Sequence, residues 1–168
     1  MFRLKNFYNM IGTVTVAAML LFSINPAESH AKLQGWDLVD SGKHLDWDAD
    51  TKYTSTVSSA VSIWEGYKPG IIRPDSATVV EDVYIFDYYE VSNTIAQTSS
   101  AGTMKFNDYK FQGYNSEERL HTAIHEFGHA LGLDHTWGMY DVMQQGRLSI
   151  NSLSNTDESS YDEAYSTY

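Results

Sequence analysis

Residues 125–135 read His125-Glu126-Phe127-Gly128-His129-Ala130-Leu131-Gly132-Leu133-Asp134-His135, and their spacing organises the rest of the chain. On a helix, positions four apart lie on one face one turn apart, so His125 and His129 can turn both imidazoles toward one cation. Leu120, Ile124, Phe127 and Leu131 recur at intervals of four, three and four, which predicts a core face beside the histidine stripe. Gly132 falls where a helix ends in a left-handed residue, a conformation glycine enters without steric cost. The chain can then double back and bring His135 toward the same ion. Three neutral imidazoles leave a fourth position for water, the pattern of an open, catalytic zinc site. Glu126 adjoins the first histidine, close to that water without having to ligate, which suits a general base. At this chain's own composition, five such fixed positions match by chance about 2 × 10⁻⁷ times per starting residue. The segment is specific.

Upstream, Asn115 followed by Glu118 three residues later fits a capping box and predicts where the histidine helix begins. Thr103–Phe106 and Thr94–Gln97 read as short strands separated by the turn Ser99-Ser100-Ala101-Gly102. Thr78–Tyr89 is rich in β-branched and aromatic residues and predicts one or two strands. Tyr53–Tyr67 places Val57, Ala60, Val61 and Trp64 on one helical face and stops at Pro69-Gly70. Trp36–Trp47 reads as a first strand or hairpin-like opening, and Thr156–Tyr165 as a short C-terminal helix with an acidic first turn. No repeat or long linker divides the chain. The expectation is one α+β domain: a twisted mixed sheet with an edge strand along a cleft, two main helices and a short C-terminal helix.

The chain has 168 residues, 11 Lys and Arg against 22 Asp and Glu, and no cysteine. Such acidity argues against nucleic acid as partner, because a phosphate-binding surface needs clustered Lys and Arg. The missing cysteines exclude disulfides, thiolate ligands and thiol nucleophiles. Arg3 and Lys5, the 15-residue mostly apolar stretch Met10–Ile24, Pro26 and the small residues of Ser29-His30-Ala31 have the anatomy of a secretory signal peptide. The rival, an uncleaved membrane anchor, needs about 20 apolar residues. Cleavage near Ala31 is expected, with residues 1–31 as leader and 32–168 as the mature domain. Losing Arg3, Lys5 and Glu28 leaves 9 basic and 21 acidic residues, a net charge of −12. The exported protein is expected to be a monomer without stable membrane association.

The pattern His125-Glu126-x-x-His129-x-x-Gly132-x-x-His135 resembles the signature of the metzincin zinc proteases, and the chain is similar to their matrixin branch, in particular small bacterial members. Met143 follows His135 by eight residues within Asp141-Val142-Met143, as the family's Met-turn does, and Thr136 stands where matrixins carry Ser or Thr. Thr103-Met104-Lys105-Phe106-Asn107 resembles the strand before the active-site helix, and Ile95-Ala96 the edge strand along which matrixins lay substrate. The resemblance implies one catalytic zinc on His125, His129 and His135, Glu126 as general base, and Met143 as a hydrophobic floor. It implies a secreted endopeptidase acting on extended polypeptides. The alternative is a catalytically silent, zinc-bearing protein-binding module of the same fold.

The chain also departs from that pattern. It has no cysteine for the thiolate that keeps many matrixins latent. Gln97 occupies the edge-strand position where a second, structural zinc would need histidine. Gln144-Gln145-Gly146 replaces the Pro and Tyr of the family's specificity wall, and no tyrosine follows Met143 by two residues as in astacin-like enzymes. His121, one turn before His125, is expected to be an exposed or capping histidine, because one ion does not bridge three helical turns. His44 is expected at the surface. Asp75, Asp82, Asp87, Glu90 and Asp108 are read as solvated acidic surface. Calcium remains possible but has no spaced-loop motif behind it. Tyr140 is expected beside the cleft, and Tyr161, Tyr165 and Tyr168 in helix packing.

Overall fold

A computed structural model describes residues 33–168. The expected leader lies outside these described residues. The elements run β1 (Leu45–Asp50), α1 (Thr54–Tyr67), β2 (Ile72–Pro74), β3 (Val83–Tyr88), β4 (Ala96–Ser99), β5 (Thr103–Asn107), α2 (Asp108–Phe111), α3 (Ser116–Ala130) and α4 (Asn155–Tyr165). The five strands form one sheet in the order β2-β1-β3-β5-β4. All pairings are parallel except β4 with β5, where Ala96 faces Phe106 and Ser99 faces Thr103. This is the mixed α+β sheet the pattern predicts, with an antiparallel edge strand.

Alternation sorts the strand side chains. In β3, Val83 and Ile85 are fully buried, whereas Tyr84 and Phe86 stack on each other across the other face at 6.0 Å. Met104 and Phe106 of β5 join the buried face, where Val57, Ala60 and Trp64 of α1 and Ile124 and Phe127 of α3 cover them. Trp64 is the hinge-pin of this layer: its Nε1 donates to Ile124 O at 3.0 Å, and its ring meets Tyr161 of α4 edge-on at 5.4 Å. Burying a side chain of this kind stabilises by roughly 2–3 kcal/mol.

Three expected elements differ in extent, the strand expected at 94–97 running Ala96–Ser99 instead. Only Val83–Tyr88 of the 78–89 stretch is strand, because Val80 is 81% exposed and has no neighbouring layer to cover it. The Trp36–Trp47 opening is hairpin-like: Asp40 N donates to His44 O at 2.7 Å around Lys43 (φ +62), and the strand itself begins at Leu45. The three-residue β2 and the four-residue α2 have no counterpart in the sequence pattern. β2 depends on Glu65, whose carboxylate accepts from the backbone N–H groups of Gly70, Ile71 and Ile72 and aims the chain at β1. Tyr161 is buried in helix packing, and Tyr168 donates its hydroxyl to Leu131 O.

Candidate metal centre

The helix that carries the site is set at both ends by local chemistry. Asn115 accepts from Glu117 N and Glu118 N, while Glu118 accepts from Asn115 N at 2.9 Å, so the expected capping box is formed. At the other end Gly132 adopts φ +88, and Leu133 N donates back to Gly128 O at 2.9 Å. That turn returns His135 to the helix face.

The three imidazoles converge. Ring centroids lie 4.7 Å apart for His125–His129, 5.1 Å for His125–His135 and 4.7 Å for His129–His135. His129 Nε2 and His135 Nε2 are 3.2 Å apart, against roughly 3.3 Å for two nitrogens sharing one tetrahedral zinc. His125 Nδ1 lies 2.8 Å from Val142 O, and His129 Nδ1 lies 2.8 Å from Leu133 O. A carbonyl at Nδ1 holds the proton there and leaves Nε2 as the free donor. Burial pushes His125 down to about 3 and lowers His129 as well, so both rings stay neutral at ordinary pH. Neutral, converging and fixed from behind, the triad fits a zinc ion.

Glu126 is 6% exposed on the same helix. Burial raises its carboxyl to about 7, against the opposing hydrogen bond from Thr98, whose Oγ1 donates to Oε2 at 2.7 Å. Met143 is fully buried beneath the helix, where its Sδ and Cε crowd Gly128. The turn that carries it is pinned: Thr136 N donates to Met143 O at 3.0 Å, and the Asp157 carboxylate accepts from Val142 N and Met143 N. A cleft of about 350 Å³ opens above, with Ile95, Ala96 and Gln97 along one wall and Gln144, Gln145 and Gly146 along the other. The edge strand therefore lines the cleft as expected.

Two expectations are corrected. His121 is 1% exposed and lines the cleft, because the 144–150 loop folds over it and Ile150 O sits 2.8 Å from its Nδ1. Tyr140 is 74% exposed and outside the cleft wall, since its loop bulges outward beside Trp137 and Met139. The acidic residues are less solvated than expected: Asp82 accepts from Asp46 N, Asp87 holds Thr51 and Lys52 N, and Asp108 pairs with Lys52 and Tyr53. Asp40, Asp46 and Asp82 approach one another, but Arg73 takes both oxygens of Asp46 at 3.0 and 2.8 Å. That group is already engaged.

Two site residues carried no sequence signal. Gln34 reaches across from the N-terminal segment, donating to Leu133 O at 2.7 Å with its Nε2 2.9 Å from His129 Nδ1. Thr98 meets Glu126 through the sheet edge. Strand alternation places Thr98 on the face of Ala96, yet which face meets the helix is a matter of packing.

The matrixin family profile matches residues 29–166 of the chain. A comparison with curated protein sequences finds no match. Among solved structures, the crystal structure of archaemetzincin from Methanopyrus kandleri is similar, with a TM-score of 0.56 over 76% of this chain and 99% of that one, at 13% identity. At that identity the likeness is one of fold, the metzincin-like sheet and helices. The family match spans almost the whole described domain, and the chain belongs to the matrixin family of zinc metallopeptidases.

Proposed function

We propose that the chain is a secreted, monomeric, single-domain endopeptidase of matrixin type that hydrolyses extended polypeptides. The observation that carries this reading is the convergence of His125, His129 and His135 beside Glu126 in one cleft under an edge strand. The three histidines hold one zinc through their Nε2 atoms, and Met143 forms the floor below them. A bound zinc supplies Lewis-acid chemistry, acidifying water and polarising a carbonyl. Glu126 acts as general base: its carboxylate takes the proton of the attacking water and returns it to the leaving amine nitrogen.

The free edge of β4 offers main-chain N–H and C=O groups to an extended substrate, the mode of strand addition. Gln144, Gln145 and Gly146 line the cleft as well. Residues 1–31 direct export and are removed near Ala31, leaving 32–168 as the catalytic domain. Among the described residues no helix is long and apolar enough to cross a membrane.

Metal content and cleavage profiling of the wild type against Glu126→Ala test the reading. The wild type should bind one zinc per chain, cleave peptides and lose activity to a chelator. Glu126→Ala should fold and hold zinc but hydrolyse nothing. Full turnover in that variant refutes the mechanism, and a wild type that binds zinc without cleaving any peptide leaves the silent binding module. Sequencing the N terminus of the exported protein tests processing at Ala31.

A further inference from the structure

The edge strand does more than border the cleft. Thr98, on β4, is buried, and its Oγ1 lies 2.7 Å from Glu126 Oε2 and 3.1 Å from Glu126 O. A hydroxyl has one proton. The shorter contact is to the carboxylate, a charge-assisted acceptor, and there the proton goes. The other carboxylate oxygen, Oε1, makes no hydrogen bond with the described residues and is the one left to face the cleft. Thr98 is also paired in the sheet with Met104 of β5, so its backbone cannot move independently of the core. Glutamate has three rotatable side-chain bonds, and without a partner its carboxylate would sample several rotamers.

We propose that Thr98 is the positioning residue of the general base: its hydroxyl ties Oε2 of Glu126 to the strand that receives substrate and leaves Oε1 free to exchange the proton. The same four-residue strand thus sets the substrate backbone and the base in one rigid frame. Positioning of this kind changes turnover rather than ground-state binding, because the carboxylate matters only as the proton moves. This rests on the peptidase reading given above.

The test compares Thr98→Val, Thr98→Ala and Thr98→Ser in the otherwise wild-type chain, with zinc content and melting temperature measured throughout. Thr98→Val keeps the shape and removes the hydroxyl. Its kcat should fall by roughly 10-fold or more, the usual scale for losing a supporting hydrogen bond around a metal site, with KM within about twofold and zinc unchanged. Thr98→Ser should recover most of the rate. Wild-type kcat in Thr98→Val overturns the assignment. If Thr98→Val fails to fold, Thr98→Ala against Thr98→Ser makes the same comparison. Unfolding of both hydroxyl-free variants makes the hydroxyl a stability group and overturns the proposal. A wild type with no zinc-dependent hydrolysis overturns the peptidase reading itself, a different outcome from an active enzyme indifferent to Thr98.

Discussion

Gly128 lies inside α3, where helix propensity alone favours alanine over glycine by about 1 kcal/mol. Its surroundings reverse that sign. A Cβ at this position would lie 2.2 Å from Met143 Sδ, 3.1 Å from Met143 Cε and 3.3 Å from Trp64 Cζ2. Ordinary contact requires about 3.5–4 Å, so the sulfur must retreat by more than an ångström. Met143 is fully buried, and its backbone is held by Thr136 N and by the Asp157 carboxylate. Overpacking at such a site costs about 3 kcal/mol, the upper part of the usual range. Set against the propensity gain, Gly128→Ala should lose about 2 kcal/mol net. For a domain of this size that lowers Tm by roughly 6–8 °C. Thermal and urea unfolding of the metal-free protein measure it without the contribution of bound zinc. The neighbouring Val142 O supports His125, so zinc affinity should fall in the same variant. Truncating Met143 makes room: in a Met143→Ala background, Gly128→Ala should become stabilising. A single mutant as stable as wild type, or additive effects in the pair, would falsify the view that Met143 is locked against the helix.

Three further outcomes follow from the same contacts. Asp157→Ala should cost about 3 kcal/mol and weaken zinc binding, because Val142 N, Met143 N and Ser154 N lose their buried acceptor; a loss under about 1 kcal/mol in urea unfolding argues against it. Gln34→Ala should weaken zinc roughly 10-fold in competition with a chromophoric chelator, since Gln34 steadies the Leu133 carbonyl behind His129; unchanged affinity removes Gln34 from the site. The metal-free protein should lose stability as pH falls below 6.5: the unfolded histidines take up protons that buried His125, His129 and His121 refuse, each contributing a slope of up to about 1.4 kcal/mol per pH unit, for His125 down to about pH 3. Glu126, raised to about 7 in the fold, works in the opposite sense between pH 7 and 4.5 and cancels about one histidine. Melting temperatures that rise on acidification from 6.5 to 5 contradict the sign.

Much of the site was legible in the chain because its information is short-range. Asn115 and Glu118 cap a helix by contacts three residues apart, His125 and His129 share a face through the helical repeat, and Gly132 marks the turn by lacking a Cβ. Covalent geometry dictates each of these before any tertiary contact exists. The family signature and the Met-turn spacing then point to zinc and to peptide hydrolysis. What the chain alone could not disclose depends on segments far apart in sequence. β2 forms only because β1 offers it an edge, and its Glu65 clasp has no periodicity to reveal it. His121 looks like a surface residue on the helix and is buried because residues 144–150 close over it. Gln34 reaches His129 across 95 positions, and Thr98 reaches Glu126 across 28. Residue identity and spacing alone singled out the three histidines, the neighbouring Glu126 and the helix that carries them. Tertiary structure alone decided what steadies them, because long-range pairing follows from how all the buried surfaces fit together and leaves no mark in local sequence.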